Sequence, residues 1–171
     1  IDNLVRSYFM MYCVSTDFEA DGLRVWSWQD PIFCRPKDAD TVFPKYLDEQ
    51  IERVKAATEV SEERKTEYLS RLEERRDVYS DKLFQGLGWM PRQPPIMLTE
   101  KRMMLGLYSD TFDCSMFAFT EDAGKTWEFS QPLAQPGIQP SVVRKKNGNL
   151  VAFMRDSPVV RRAESSDAGM T

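Results

Sequence analysis

The 171 residues suffice for one ordinary domain, and a formal charge of −4 supplies no basic field for nucleic acid. About two-fifths of the chain is apolar, a globular composition, and no apolar run reaches the ~20 residues that span a bilayer. With no histidine, Ser–His–Asp and Cys–His catalysis and His-ligated zinc are excluded, so acid–base work falls to Asp, Glu, Tyr or Lys.

The chain opens on IDNLVRSYF, without a basic-then-apolar leader. The apolar run LVRSYFMMYCV (4–14) predicts a buried strand. A second is predicted over GLRVWSW (22–28), with Leu23, Val25 and Ser27 on one face. Between them STDFEADG ends in Asp-Gly, a hairpin signal. Cys13, Cys34 and Cys114 lie far apart and read as buried free thiols rather than a disulfide framework.

Residues 44–84 change character. Leu47, Ile51, Val54 and Thr58 recur at helical spacing, and so do Leu69, Leu72, Arg76, Tyr79 and Leu83. Pro44 suits a first turn, and Ser61 suits an N-cap with Glu62 and Glu63 at the positive end of the dipole. Glu49–Arg53 and Glu67–Arg71 are i,i+4 pairs worth about 0.2–0.5 kcal/mol each. The pattern predicts two amphipathic helices turning near 59–61, a peripheral hairpin packed on the main fold. Its sequence assigns it no partner.

Residues 85–171 return to β character and repeat. PIMLTEKRMMLGLYSD (95–110) parallels PSVVRKKNGNLVAFMRD (140–156), and SMFAFTEDAGKTW (115–127) parallels RRAESSDAGMT (161–171). The offsets fall at 45 to 46 residues, a period that fits a propeller blade. A WD repeat has a similar period, but its Gly-His signature cannot exist without histidine.

Each repeat holds the phrase Ser/Thr-x-Asp-x-Gly-x-Thr, followed by Trp127 in the first copy. Its aspartate suits turn amides, and its glycine suits a positive φ. Asp122 and Asp167 are therefore read as structural. Asp21-Gly22 followed by Trp26 reads as a degenerate third copy.

This phrase is the Asp-box, and the chain resembles the sialidase (neuraminidase) superfamily, in its BNR-repeat, sialidase-like branch. The resemblance rests on GWMPRQPPIML, GLYSDTFDCSMFAFTEDAGKTW and IQPSVVRKKNGNLVAFMRD and covers 86–171. It implies an all-β fold, a six-bladed β-propeller of sialidase type, with the α-helical hairpin as an insert. Residues 1–43 would form a partial blade, 44–84 the insertion, and 85–171 two blades. The stop inside the second Asp-box reads as a fragment of about three blades.

Tracing blade topology sends Arg92, Tyr108, Asp110, Gln139, Arg155 and Asp156 to one face, away from the Asp-boxes. A guanidinium fork matches a sugar carboxylate. Arg92, Tyr108, Gln139 and Arg155 are therefore the candidate substrate-binding residues, and Asp110 and Asp156 the candidate catalytic ones. Tyr108 reads more readily as core than as nucleophile, Asp110 and Asp156 also read as strand-end caps bonding loop amides, and Arg155 beside Asp156 also invites a plain ion pair.

The resemblance implies an exo-α-sialidase-type glycoside hydrolase acting on terminal acidic sugars of glycans, with a tyrosine nucleophile, and a secreted or periplasmic location. No metal or cofactor is called for. No complete arginine triad or Tyr/Glu pair can be assigned from the sequence. A non-catalytic glycan-binding propeller, a polysaccharide lyase or another glycosidase on the same scaffold stay open.

Overall fold

The computed structural model describes residues 8–17, 19, 21–22, 25–26 and 28–171, with the side chains of Trp28 and Gln29 left aside. The fold is mostly β: three antiparallel sheets joined by a helical layer. The first sheet pairs β1 (Met10–Val14) with β2 (Trp28–Ile32). The start of the first predicted strand, and Leu23 and Ser27 of the second, lie outside the described residues. Val25 and Trp26 are not in a strand; pairing begins at Trp28.

Helices α1 (Ala39–Ala56), α2 (Glu62–Glu74), α3 (Arg76–Ser80) and α4 (Lys82–Gln85) follow. Helix α1 starts five residues before the expected Pro44, which sits inside it. The early start comes from Asp38, whose positive φ of 54° turns the chain. The Asp38 carboxylate accepts a bond from Gln131 Nε2 at 2.5 Å, and Lys37 N–H donates to the Ser130 carbonyl at 3.1 Å, so this corner is pinned to the β layer. Ser61 caps α2, its hydroxyl accepting from Arg64 N–H at 3.4 Å. The second helix breaks at Arg75, which rotates the apolar stripe. Tyr79 is fully buried while Leu83 stays 65% exposed.

The second sheet is an antiparallel meander. Its inner edge is split into β3 (Met90–Pro91) and β4 (Ile96–Met97), both paired with β5 (Met103–Ser109). Next come β6 (Cys114–Thr120) and the short β7 (Glu128–Phe129). Every residue of β6 is buried, as a central strand covered on both faces requires. The third sheet orders β8 (Ile138–Arg144), β9 (Leu150–Arg155) and β10 (Val160–Ser165).

Two clusters make the core. One face of the second sheet (Leu105, Leu107, Cys114, Met116) packs on Phe43, Tyr46, Leu47, Ile51 and Tyr79 of the helical layer and on Ile32 of the first sheet. The other face (Met104, Phe117, Phe119) packs on Leu150 and Ala152 of the third. The helices are thus not peripheral, because their apolar stripe completes the larger core. Phe112, in the β5–β6 turn, is fully buried, stacked on Phe43 at 4.2 Å and flanked by Tyr79 at 5.0 Å. Gly106 lets the third sheet come close, since a Cβ there would stand 3.0 Å from Pro140 Cγ.

Candidate functional site

The register divides the second and third sheets into two ends. At one lie the Asp-boxes. Asp122 Oδ1 accepts from Thr126 N–H at 2.9 Å, and its Oδ2 from the Thr126 hydroxyl at 2.7 Å. Gly124 N–H donates to Thr120 Oγ1 at 2.8 Å. Asp167 repeats the pattern with the Thr171 amide and hydroxyl, at 3.2 and 2.7 Å. These bonds stabilise the ionised form and hold both carboxyls down at about 2. Trp127 Nε1 donates to the Gly124 carbonyl at 2.9 Å, and its ring meets Tyr12 of the first sheet edge-on at 5.4 Å.

The first sheet has the same device. The Ser15 hydroxyl donates to the Asp17 carboxylate, which also accepts Val25 N–H at 3.1 Å. The amide partner stands eight residues on rather than four, so the loop carries four extra residues. The box aspartate here is Asp17, not Asp21. Arg102 ties the same end together, pairing with Glu121 at 2.7 Å and Glu128 at 3.1 Å over the Phe119 ring.

The opposite end, called the mouth below, holds Asp110, Asp113, Gln139, Arg155 and Asp156, while Arg92 lies on the inner edge of the second sheet, two residues past the Met90–Tyr108 rung. Arg92 follows β3, is exposed, and makes no hydrogen bond or ion pair among the described residues. Asp110 is likewise exposed and unpaired in the β5–β6 turn. Gln139 holds a φ of 58° inside the β8 bulge, between Gly137 at 143° and buried Pro140. Left-handed backbone at a non-glycine is costly and persists only where packing enforces it. A cleft of about 110 Å³ runs between the second and third sheets, lined by Gln93, Ile96, Met104, Gly106, Pro140 and Val142. A separate apolar cavity, lined by Leu133, Leu150 and Gly169 among others, lies toward the Asp-box end.

Tyr108 and Asp156 take the structural alternatives that the sequence left open. Tyr108 is only 7% exposed, because its face of β5 is covered by the third sheet. It shares a rung with Ser115, and Arg155 shares one with Val160, each five residues ahead of its box's first residue. Tyr108 is therefore the structural counterpart of Arg155, and Asp110 is not that of Asp156. Arg155 is exposed and makes no hydrogen bond or ion pair among the described residues. Asp156 pairs not with Arg155 but with Arg161, Nε to Oδ2 at 2.7 Å, and accepts Ser157 N–H at 2.8 Å. Arg161 holds its carboxyl below the usual aspartate value.

Asp113 is the mouth residue that sequence reasoning missed. Its φ of 50° tips it out of β6. Its carbonyl accepts from the Tyr46 hydroxyl and from Gly137 N–H, both at 3.3 Å. Packing beneath it raises its carboxyl pKa, Asp156 and Asp110 add to that, and Arg75 opposes it. The second aspartate in SDTFDC was the available signal. Among the described residues no group of three or more His, Cys, Asp or Glu stands together to hold a metal, and no helix is long and apolar enough to cross a membrane.

The profile of the BNR repeat-like domain family matches residues 54–171. The chain belongs to the BNR repeat-like domain family. The match begins within α1, so the family segment takes in most of the helical layer and not only 86–171. BNR repeats occur in sialidases and related glycosidases. No curated protein and no solved structure matches the chain.

Proposed function

We propose that the three sheets are blades of a sialidase-type β-propeller, and that the mouth binds the terminal acidic sugar of a glycan and hydrolyses its glycosidic bond. One observation supports this reading: Arg155, one rung from the strained Gln139, and Arg92, on the inner edge of the second sheet, are guanidinium groups without a partner among the described residues. Each offers a planar donor fork to a carboxylate, and Gln139 offers an amide to sugar hydroxyls. The acid is Asp113 or Asp110. A carboxyl with a raised pKa keeps its proton nearer neutrality, as protonating a leaving oxygen requires. Asp156, fixed as a carboxylate by Arg161, orients the β9–β10 loop instead.

A second reading, a glycan-binding propeller without turnover, is favoured by the burial of Tyr108, which removes the one tyrosine the sequence sent to the mouth. The full-length protein assayed on a fluorogenic sialoside separates the two. Turnover lost in Arg92→Ala and Asp113→Asn supports hydrolysis. No turnover, with glycan binding that Arg92→Ala and Arg155→Ala abolish, supports binding alone. Neither turnover nor binding rejects both.

A further inference from the structure

The helical layer meets the mouth through Tyr46, whose hydroxyl donates to the Asp113 carbonyl, and through the α2–α3 junction. Arg75 stands at the junction of α2 and α3, and Tyr79 N–H donates to its carbonyl at 2.9 Å, one helical turn on. Side chains so spaced share a helix face. The Tyr79 hydroxyl donates to the Phe112 carbonyl at 3.4 Å, so that face is aimed at the turn that ends in Asp113. Arg75 is the cation that acts on both the Asp113 carboxyl and the Tyr79 hydroxyl.

Its neighbour Arg76 is fully engaged, with Asp48 at 3.0 Å and Glu73 at 2.9 Å. Arg75 is half-buried, yet its guanidinium closes on no carboxylate and makes no hydrogen bond among the described residues. Packing has already reduced its hydration, while its five donors stay unused. An anion arriving there gains charge-assisted bonds without displacing an existing partner.

We propose that Arg75 is a ligand-binding residue of the mouth, supplied by the helical layer, which takes an anionic group of the bound sugar on the side of Asp113. This rests on the reading of the mouth as an acidic-sugar site. The helices then help to set specificity as well as to complete the core.

The test is calorimetric titration of the full-length protein with N-acetylneuraminic acid, glucuronic acid and galactose, on wild type, Arg75→Ala, Arg75→Lys and Arg92→Ala. Expected is a loss of about tenfold in acidic-sugar affinity for Arg75→Ala, the scale of one lost charged hydrogen bond. Arg75→Lys restores part of it, and the unfolding midpoint of both variants stays at the wild-type value. Wild-type affinity in Arg75→Ala with binding lost in Arg92→Ala overturns the role of Arg75 and leaves the site reading intact. An acidic-sugar affinity of wild type no greater than that for galactose overturns both.

Discussion

The two ends of the same sheets solve opposite problems. At the Asp-box end each box aspartate is met by a neighbouring hydroxyl and by the amide of a following residue, and Arg102 is shared between two glutamates. At the mouth Asp110, Arg155 and Arg75 have no such partner among the described residues, nor has Arg92 on the inner edge, and Asp156 is the exception, held by Arg161. Local satisfaction is what a hairpin needs to hold a sheet together. Charges left open at the other end cost repulsion and hydration without stabilising the fold, which is the physical ground for assigning function there.

The contrast breaks most severely if the mouth loses its floor. Phe112, fully buried between Phe43, Tyr79 and Trp89, carries the turn that presents Asp110 and Asp113. Phe112→Ala is expected to cost about 3–5 kcal/mol in chemical denaturation, the range for deleting a core aromatic ring. A loss no larger than a surface change gives would mean the helices do not hold this turn.

Next in size is Gly124. Its φ of 90° already disfavours a side chain, and a Cβ there would lie 2.1 Å from Tyr12 Cε1. Gly148 has a φ of 91° but open space around it. Gly148→Ala should cost about 1–2 kcal/mol, the left-handed term alone. Gly124→Ala should cost more, because Tyr12 and the first sheet must move. Equal losses would show that the contact between the first sheet and the box adds nothing.

How much of this was legible follows from how local each cause is. The box bonds join residues two to four apart, so Thr120, Asp122, Gly124 and Thr126 announce themselves in sequence. Ser61 as a cap is local in the same way. The four-residue insertion hid the third box, since Asp21-Gly22 resembles the motif and the working pair, Asp17 and Val25, is stretched. The cover over Tyr108 comes from the third sheet, which no strand periodicity reveals. The juxtaposition of Asp113 with Arg75 was invisible for a related reason. They are nearly forty residues apart in the chain, and only the packing of Tyr79 on Phe112 brings their elements together.

Proton titration sharpens the contrast, with opposite signs at the box aspartates and at Asp113. Asp122 and Asp167 are depressed from 3.8 to about 2. The stability they contribute is present above pH 3.8 and is lost as pH falls through about 2. Asp113 is raised above 3.8, so its contribution is full below that value and is lost as pH rises through its folded pKa. Thermal midpoints followed across the acid range should show Asp122→Asn flattening the acid limb. Asp113→Asn should instead raise stability at the upper side. Two variants that shift the same limb in the same direction would erase the distinction.

The smallest expected effect on the fold is the most informative about the mouth. Arg92 and Arg155 touch nothing that their removal would leave unpaired. Arg92→Ala and Arg155→Ala should therefore change unfolding free energy by no more than about 0.5 kcal/mol, as isolated surface substitutions do. Arg102→Ala strands Glu121 and Glu128 and uncovers the Phe119 ring, and it should exceed both. An arginine that the fold does not use is kept for something that arrives from outside. A large stability loss in Arg92→Ala or Arg155→Ala would mean the fold does use it, and the mouth would lose its claim to be the binding end.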